Sequence, residues 1–496
     1  MGLIRLAVLL LALAGAVVSV WRLEAGRAGL VITPLSAGST PATVYRLPGD
    51  AAAPVVVIAH GFAGSRPLMD SIAVTLAQAG YIAVSYDLMG HGRNPVPMSG
   101  DVTRIDGTTL VLMDELARVA DAALALPGAD GRLALIGHSM ASDIVVRQAV
   151  RDARVKAVVT LSMFSLAVTP DQPGNLLVIA GEWEGRLAAE ALRALRLSDP
   201  AAALGDTVAN ATGARRALTA PNVEHVGILF SGTTLAETRG WLNTVFARTD
   251  TPPIVRRGGW IALLLVSVVA MAWPLAVALR RFRAASPPPQ VGRGAFVLAV
   301  LGPAVATPLI LWPFDTRFLP VLVADYLAVH FALYGLLGLG ILAWMGGLRR
   351  IAPVVPLLAI PVAAFAIVIF GGALDRYFAS FVPVAGRIPV VAAMAIGAVP
   401  FMLADGALTE GGRAPLWRVL LVRGMALASL GLAVVLDFER LFFLLIILPV
   451  ILVFFLLFGT VGGWVGRATW RPAVAGIALG VFLGWALGVT FPMFAA

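Results

Sequence analysis

The 496-residue chain contains no cysteine, which excludes disulfides, thiolate metal sites and a thiol nucleophile. Lysine is almost absent as well: of 37 basic residues only Lys156 is lysine. Charge of either sign is scarce, at 13% of residues against about 25% in ordinary soluble domains, while 59% are hydrophobic. A formal charge of +9 would raise nucleic acid as a partner in a soluble protein, but no basic stripe interleaved with aromatics occurs. The arginines sit instead at the ends of apolar runs, so no nucleic-acid partner is expected. Phosphate loops and dinucleotide fingerprints are missing in any fitting context, because the glycine-rich stretch 335–340 lies inside an apolar run. Neither a metal nor a cofactor is expected.

What is present divides the chain in two. A spanning helix needs about 20 apolar residues, and from Gly258 onward eight runs qualify: 258–279, 294–312, 319–345, 351–374, 378–403, 419–436, 441–466 and 472–495. Residues 1–21 form a further apolar stretch behind Arg5, read as an anchor helix or a signal peptide. Eleven arginines fall on alternate loops, at 280, 281, 283, 293, 349, 350, 413, 418, 423, 467 and 471. Six fall on the opposite side, at 256, 257, 317, 376, 387 and 440. The side richer in arginine is expected to be cytoplasmic. Residues 22–250 are then outside the inner membrane, in the periplasm of a bacterium, joined by a 251–257 linker to a polytopic domain over 258–496. Asp325 and His330 lie within an apolar run, where ionisable groups are costly enough to draw attention. Asp325 is close enough to the outer end to pair with Arg317. Gly459 with Gly463, and Gly462 with Gly466, have the small-residue spacing of close helix contacts.

Within 22–250, β-rich apolar runs alternate with helical patterns, which predicts a doubly wound, mostly parallel α/β sheet of about eight strands. Strands are expected at 30–35, 42–47, 54–60, 82–87, 132–138, 156–162, 176–181 and near 217–223. Helices are expected at 66–79, 108–126, 140–152, 185–197 and 233–247. Ligands of such sheets bind at the carboxyl ends of the strands.

Three of those ends carry chemistry. The run 55–64 leads through His60-Gly61-Phe62, the run 80–92 ends in Gly90-His91-Gly92, and Leu135-Ile136-Gly137-His138-Ser139-Met140-Ala141 reads as a strand, a sharp turn and a helix. Over residues 29–248 these motifs resemble the α/β-hydrolase superfamily, here an uncapped serine esterase or lipase-like domain fused to membrane helices. The fifth position of the serine turn is Ala141 where the family pattern has glycine; an alanine methyl is small enough for it.

The resemblance implies Ser139 as nucleophile, with an acid and then a histidine following in the chain. A serine hydroxyl needs a histidine to take its proton and a carboxylate to hold that histidine. Of five histidines, His60, His91 and His138 belong to the motifs and His330 to a membrane run, which leaves His225 as base. For the acid, the turn after 176–180 offers Glu184 in the family register, with Glu182 its competitor and Asp171 a more distant one. The oxyanion would be held by the backbone N–H groups of Phe62 and Met140.

Between 162 and 175 there is no room for a cap domain. The implied reaction is therefore cleavage of a carboxylic ester of a lipid or amphipathic substrate at the membrane's outer face. Acyl transfer or peptide cleavage by the same triad remains open, as does a transporter or scaffold bundle carrying the hydrolase fold as a binding module. The sequence names no protein partner.

Overall fold

In the computed structural model, residues 2–101, 105–346 and 355–495 are described. Arg349, Arg350 and the start of the 351–374 run lie outside them. Two compact units are present: Val18–Leu263 with Leu374–Val384 and Pro492–Ala496, and Met1–Val17 with Leu264–Ala373 and Ala385–Phe491.

In chain order the elements up to residue 246 are α1 (Gly2–Ala25), β1 (Val31–Ala37), β2 (Thr40–Arg46), β3 (Ala53–Ala59), α2 (Asp70–Gln78), β4 (Ile82–Tyr86), α3 (Leu110–Leu124), β5 (Ala129–His138), α4 (Met140–Arg151), β6 (Val155–Leu161), β7 (Leu176–Gly181), α5 (Gly185–Arg196), β8 (Thr207–Asn210), β9 (Gly213–Ala220) and α6 (Gly232–Phe246). They build one nine-stranded sheet in the order β1-β2-β4-β3-β5-β6-β7-β9-β8. The six strands from β4 to β9 in that order pair parallel, while β1, β2 and β8 join antiparallel. This is the α/β-hydrolase fold.

The strands β3, β4 and β7 are buried along their whole length, which explains why they read as continuous apolar runs rather than alternating ones. On one face Ile58, Ile136, Val159 and Ile179 pack against Ile72 and Leu76 of α2 and Leu235, Leu242 and Phe246 of α6. Each such side chain contributes about 1.5–3 kcal/mol by leaving water.

Asp70, at the start of α2 and 2% exposed, is the polar anchor of this unit. Its carboxylate accepts from Arg27 after α1, from Tyr45 on β2 and, at 3.3 Å, from Arg257 just before the next helix. The entry to the sheet and the exit from it are thus fixed to one buried charge.

Two distant segments join the same unit. Residues 378–384 were expected to open a membrane helix at Phe378; they form an irregular loop after the helix Gly371–Tyr377 instead, because the Asp375 carboxylate accepts the Phe381 and Val382 amides at 2.8 and 3.1 Å and turns the chain. The loop is held by Arg93 to Asp375 at 2.6 Å, by the Ser380 amide to Ser65 Oγ at 2.8 Å, and by Phe378 stacked on Phe230. Beyond Thr490, where the last helix stops short of the expected 495, Met493 and Ala495 pair through their backbones with Gly90 and Met98 at 2.7–2.8 Å.

The other unit is helical. Nine helices among the described residues are long and apolar enough to cross a membrane, beginning with α1 and ending with Pro472–Thr490, which indicates a membrane-spanning protein. Its most extensive helix contact among the described residues lies between Ala385–Leu408 and Pro472–Thr490, where a Cβ at Gly480 or Gly488 would stand 2.6 Å from the Cα of Val399 or Val391. The glycines at 476, 480, 484 and 488 form this four-residue stripe; of the pairs singled out from sequence, Gly462 faces Leu479 and Ala475 of the same Pro472–Thr490 helix. Arg317 pairs with Asp315, not with Asp325. Asp325 instead accepts the backbone amides of Phe318 and Tyr326 at 3.2 and 2.8 Å, because it begins its helix and faces donors that have no carbonyl to reach. His330 is buried against the hydroxyls of Tyr326 and Ser429, at 3.4 and 3.1 Å.

Candidate active site

The serine turn is built by its neighbours' smallness. Ser139 lies between β5 and α4 with φ 53° and ψ −119°, a backbone conformation L-residues rarely adopt. A Cβ on Gly137 would stand 2.7 Å from Val145 Cγ2 and would also strike the Ala141 carbonyl, so glycine is required there. Ala141 is fully buried, and its methyl is accommodated. The turn is pinned by the Ser139 amide to the Leu161 carbonyl at 2.9 Å and by Ser142 Oγ donating to the Ser139 carbonyl at 2.5 Å.

His225 lies in the loop between β9 and α6. Its Nε2 is 2.8 Å from Ser139 Oγ, and its Nδ1 is 2.5 Å from Glu184 Oε1. The other carboxylate oxygen of Glu184 accepts from Ser162 Oγ at 2.6 Å and from the Gly181 amide at 2.7 Å. Burial pushes this carboxyl up, but the hydrogen bonds from His225, Ser162 and Gly181 outweigh it and hold it below the usual glutamate range. Glu182 is turned away: its carboxylate accepts the Asn222 amide at 2.7 Å and so shapes the loop that carries His225. Asp171 accepts the Ala211 amide at 3.2 Å, on the turn joining β8 to β9.

The loop after β3 approaches the serine turn closely. A Cβ on Gly61 would stand 2.9 Å from both His138 Nδ1 and Ser139 Cβ, so glycine lets Phe62 come up beside the serine. Met140 is the first residue of α4, where the amide has no carbonyl within its own helix. Met140 thus follows Ser139 directly, and Gly61, the residue before Phe62, lies against it.

The three motif histidines frame the site from beneath. His60 is fully buried, with Nδ1 donating to the Gly61 carbonyl at 2.8 Å and Nε2 accepting the Leu88 amide at 3.1 Å. Its ring meets His91 edge to face. His138, placed by sequence only as a member of the serine motif, makes a specific contact that its motif does not show: its Nε2 lies 2.8 Å from the His225 carbonyl. Burial, reinforced by the neighbouring His225, pushes His138 down to about 3, so the ring is neutral at ordinary pH and Nε2 carries the donated proton.

Residues 162–175 contain neither helix nor strand, and the site has no cap from that segment. Phe164, Leu166, Trp183 and Val226 are exposed apolar side chains on loops beside Ser162, Glu184 and His225. Among the described residues no group of three or more metal-ligating side chains occurs.

Residues 50–212 match the family model described as serine aminopeptidase, S33. The match contains Ser139 and Glu184 and ends before His225. Similar solved structures include a hypothetical protein from Pseudomonas aeruginosa, at 14% identity over 45% of this chain and 95% of that one, with a TM-score of 0.33. A dienelactone hydrolase from Anabaena variabilis is 20% identical over 44% of this chain and 96% of that one, also at 0.33. A membrane phospholipase A described as a bacterial virulence factor is 16% identical over 49% and 98%, again at 0.33. No curated protein matches the chain.

Proposed function

We propose that the sheet unit is a serine hydrolase that cleaves a carboxylic ester of a lipid or amphipathic substrate at the outer face of the membrane. The observation that carries this reading is the continuous hydrogen-bonded line from Ser139 Oγ through the His225 ring to Glu184. Ser139 Oγ attacks the ester carbonyl while His225 Nε2 takes its proton, and Glu184 stabilises the imidazolium through Nδ1–H. The oxyanion is held by the Phe62 and Met140 amides, each worth about 2.7–4 kcal/mol of barrier where such donors have been removed. Collapse breaks the bond to the leaving alcohol, which receives the proton from His225, and an acyl-serine remains. Water then attacks that acyl group by the same proton path in reverse, releasing a carboxylic acid and free Ser139.

The exposed apolar side chains around the site support an amphipathic acyl substrate, since they would otherwise stand in water at no benefit. The excess of arginine on alternate loops supports a periplasmic sheet unit and an inner-membrane bundle. Peptide cleavage is the second reading, favoured by the description of the matching family model. Acyl transfer to another acceptor would use the same acyl-serine.

Fluorophosphonate labelling of detergent-purified protein, read by intact mass, tests the proposal. One adduct on the wild type and none on Ser139→Ala or His225→Ala is expected. A folded wild type that takes no label overturns the reading. Turnover of acyl esters against aminoacyl amides then separates esterase from peptidase.

A further inference from the structure

The helical unit contains a cavity of about 510 Å³ that the hydrolase reading does not use. That volume lies within the range of small-molecule sites, roughly 300–1,000 Å³. It is formed between the helices Ala385–Leu408, Leu416–Leu436, Leu444–Thr469 and Pro472–Thr490, all within one unit.

Its walls are of two kinds. Leu416, Leu420 and Leu456 line it and are exposed, so in a bilayer this side opens toward lipid chains. The opposite kind is charged. Arg423 lies seven residues into its helix, about 10 Å along the axis, and makes a two-pronged pair with Asp405 at 3.0 and 3.2 Å. Room for that guanidinium is made by Gly459, where a Cβ would stand 2.6 Å from Arg423 Cζ. Gly459 thus serves as an arginine seat rather than a helix-packing residue.

Arg467 completes the lining near the end of its helix, donating to the Gly412 carbonyl at 2.5 Å. Among the described residues no carboxylate lies within ion-pair distance of it. With Arg423 neutralised by Asp405, the cavity holds one uncompensated positive charge at its helix-end side and apolar walls along the rest. Arg467 is exposed two residues before the end of its helix, where a long cationic side chain reaches the headgroup region, and an anionic amphiphile supplies a counter-ion there and chains for the apolar walls.

We infer that this cavity binds one anionic phospholipid, its headgroup phosphate on Arg467 and its acyl chains along Leu420 and Leu456. The inference is independent of the chemistry at Ser139. It also gives the bundle a task beyond anchoring, which a single helix would accomplish.

The test uses the full chain, stripped of lipid in detergent and titrated by melting temperature with three probes: phosphatidylglycerol, phosphatidylcholine of the same chains, and glycerol phosphate alone. Phosphatidylglycerol is expected to bind on the order of fivefold more tightly than phosphatidylcholine, the usual effect of one arginine at a lipid surface. Arg467→Gln should abolish that preference and Arg467→Lys should keep it. Thr460→Trp, which fills the cavity without touching Arg467, should weaken both lipids and carries the test where Arg467→Gln does not fold. Equal binding of the two lipids by wild type, a preference that survives Arg467→Gln, undiminished binding of both lipids by Thr460→Trp, or equal stabilisation by glycerol phosphate alone overturns the inference.

Discussion

His138 donates its Nε2–H to the backbone carbonyl of His225 across 2.8 Å, so the residue next to Ser139 holds the loop that carries His225. The two sit on separate elements, β5 and the loop before α6. His138→Phe keeps the volume and removes the donor. It should lower kcat about tenfold with KM for an acyl ester changed less than twofold, since the loss falls on orientation rather than binding.

The same histidine makes the sheet unit acid-sensitive. Its value in the folded protein is about 3, against roughly 6.5 in an unfolded chain. Between those values the unfolded chain binds a proton that the folded one does not, so stability falls as pH drops from about 6.5 toward 3. Glu184 acts in the same direction: its carboxyl is held below the usual range, and its contribution is lost as pH falls through the folded value. The melting temperature of the His138→Gln protein should therefore decline less between pH 7 and pH 5 than that of the wild type. An identical decline would assign the acid sensitivity elsewhere.

Glu184 and Glu182 offer a direct comparison, because they are two residues apart and only one touches His225. Glu184→Gln should reduce kcat by roughly 10⁴-fold, the scale seen when a triad acid becomes an amide. Glu182→Gln should cost less than tenfold, through loosening of the Asn222 turn. Steady-state kinetics on one soluble ester suffices.

Trp183 and Leu166 stand exposed beside the site. Replacing both with serine should lower kcat/KM for a long-chain ester by about tenfold while leaving a short-chain ester within twofold, because only the longer chain reaches them. Parallel losses on both esters would place the acyl chain on another surface.

Asp70 carries two arginines and a tyrosine in a buried site. Asp70→Asn leaves those guanidinium groups short of their counter-ion and should destabilise the sheet unit by about 3–5 kcal/mol. Thermal melting in detergent, followed by loss of serine labelling, reads it out.

Most of the sheet was legible because its strands are short apolar runs punctuated by glycine, and each of the eight expected strands has its counterpart. The ninth, β8, was not: Thr207–Asn210 is four residues long, half exposed and without apolar periodicity, and it exists by pairing with β9. Residues 378–384 were misread for the opposite reason. Phe378, Phe381 and Val382 are apolar enough to extend a membrane run, but hydropathy does not register a carboxylate at Asp375 that captures two amides.

Ser139, His225 and Glu184 were reachable because each lies at a strand end in a recognisable order, and the structure brings their side chains into one line. The tie from His138 was not reachable. A side chain donating to a carbonyl on a loop that lies far along the chain leaves no trace in spacing or composition. The seating of Arg423 on Gly459 is hidden in the same way, because glycine spacing looks alike whether a helix or a guanidinium fills the gap.

The pairing of Met493 and Ala495 with Gly90 and Met98 also constrains how the protein is made. The strands through β9 can assemble before the chain is complete, yet backbone groups of Gly90 and Met98 in the loop after β4 stay open until residues 493–495, which follow the last apolar helix, are in place. A chain arrested before that helix would leave those backbone groups of the sheet unit unpaired, an unsealed seam open to proteolysis. Completion of membrane insertion thereby becomes the checkpoint for a mature hydrolase.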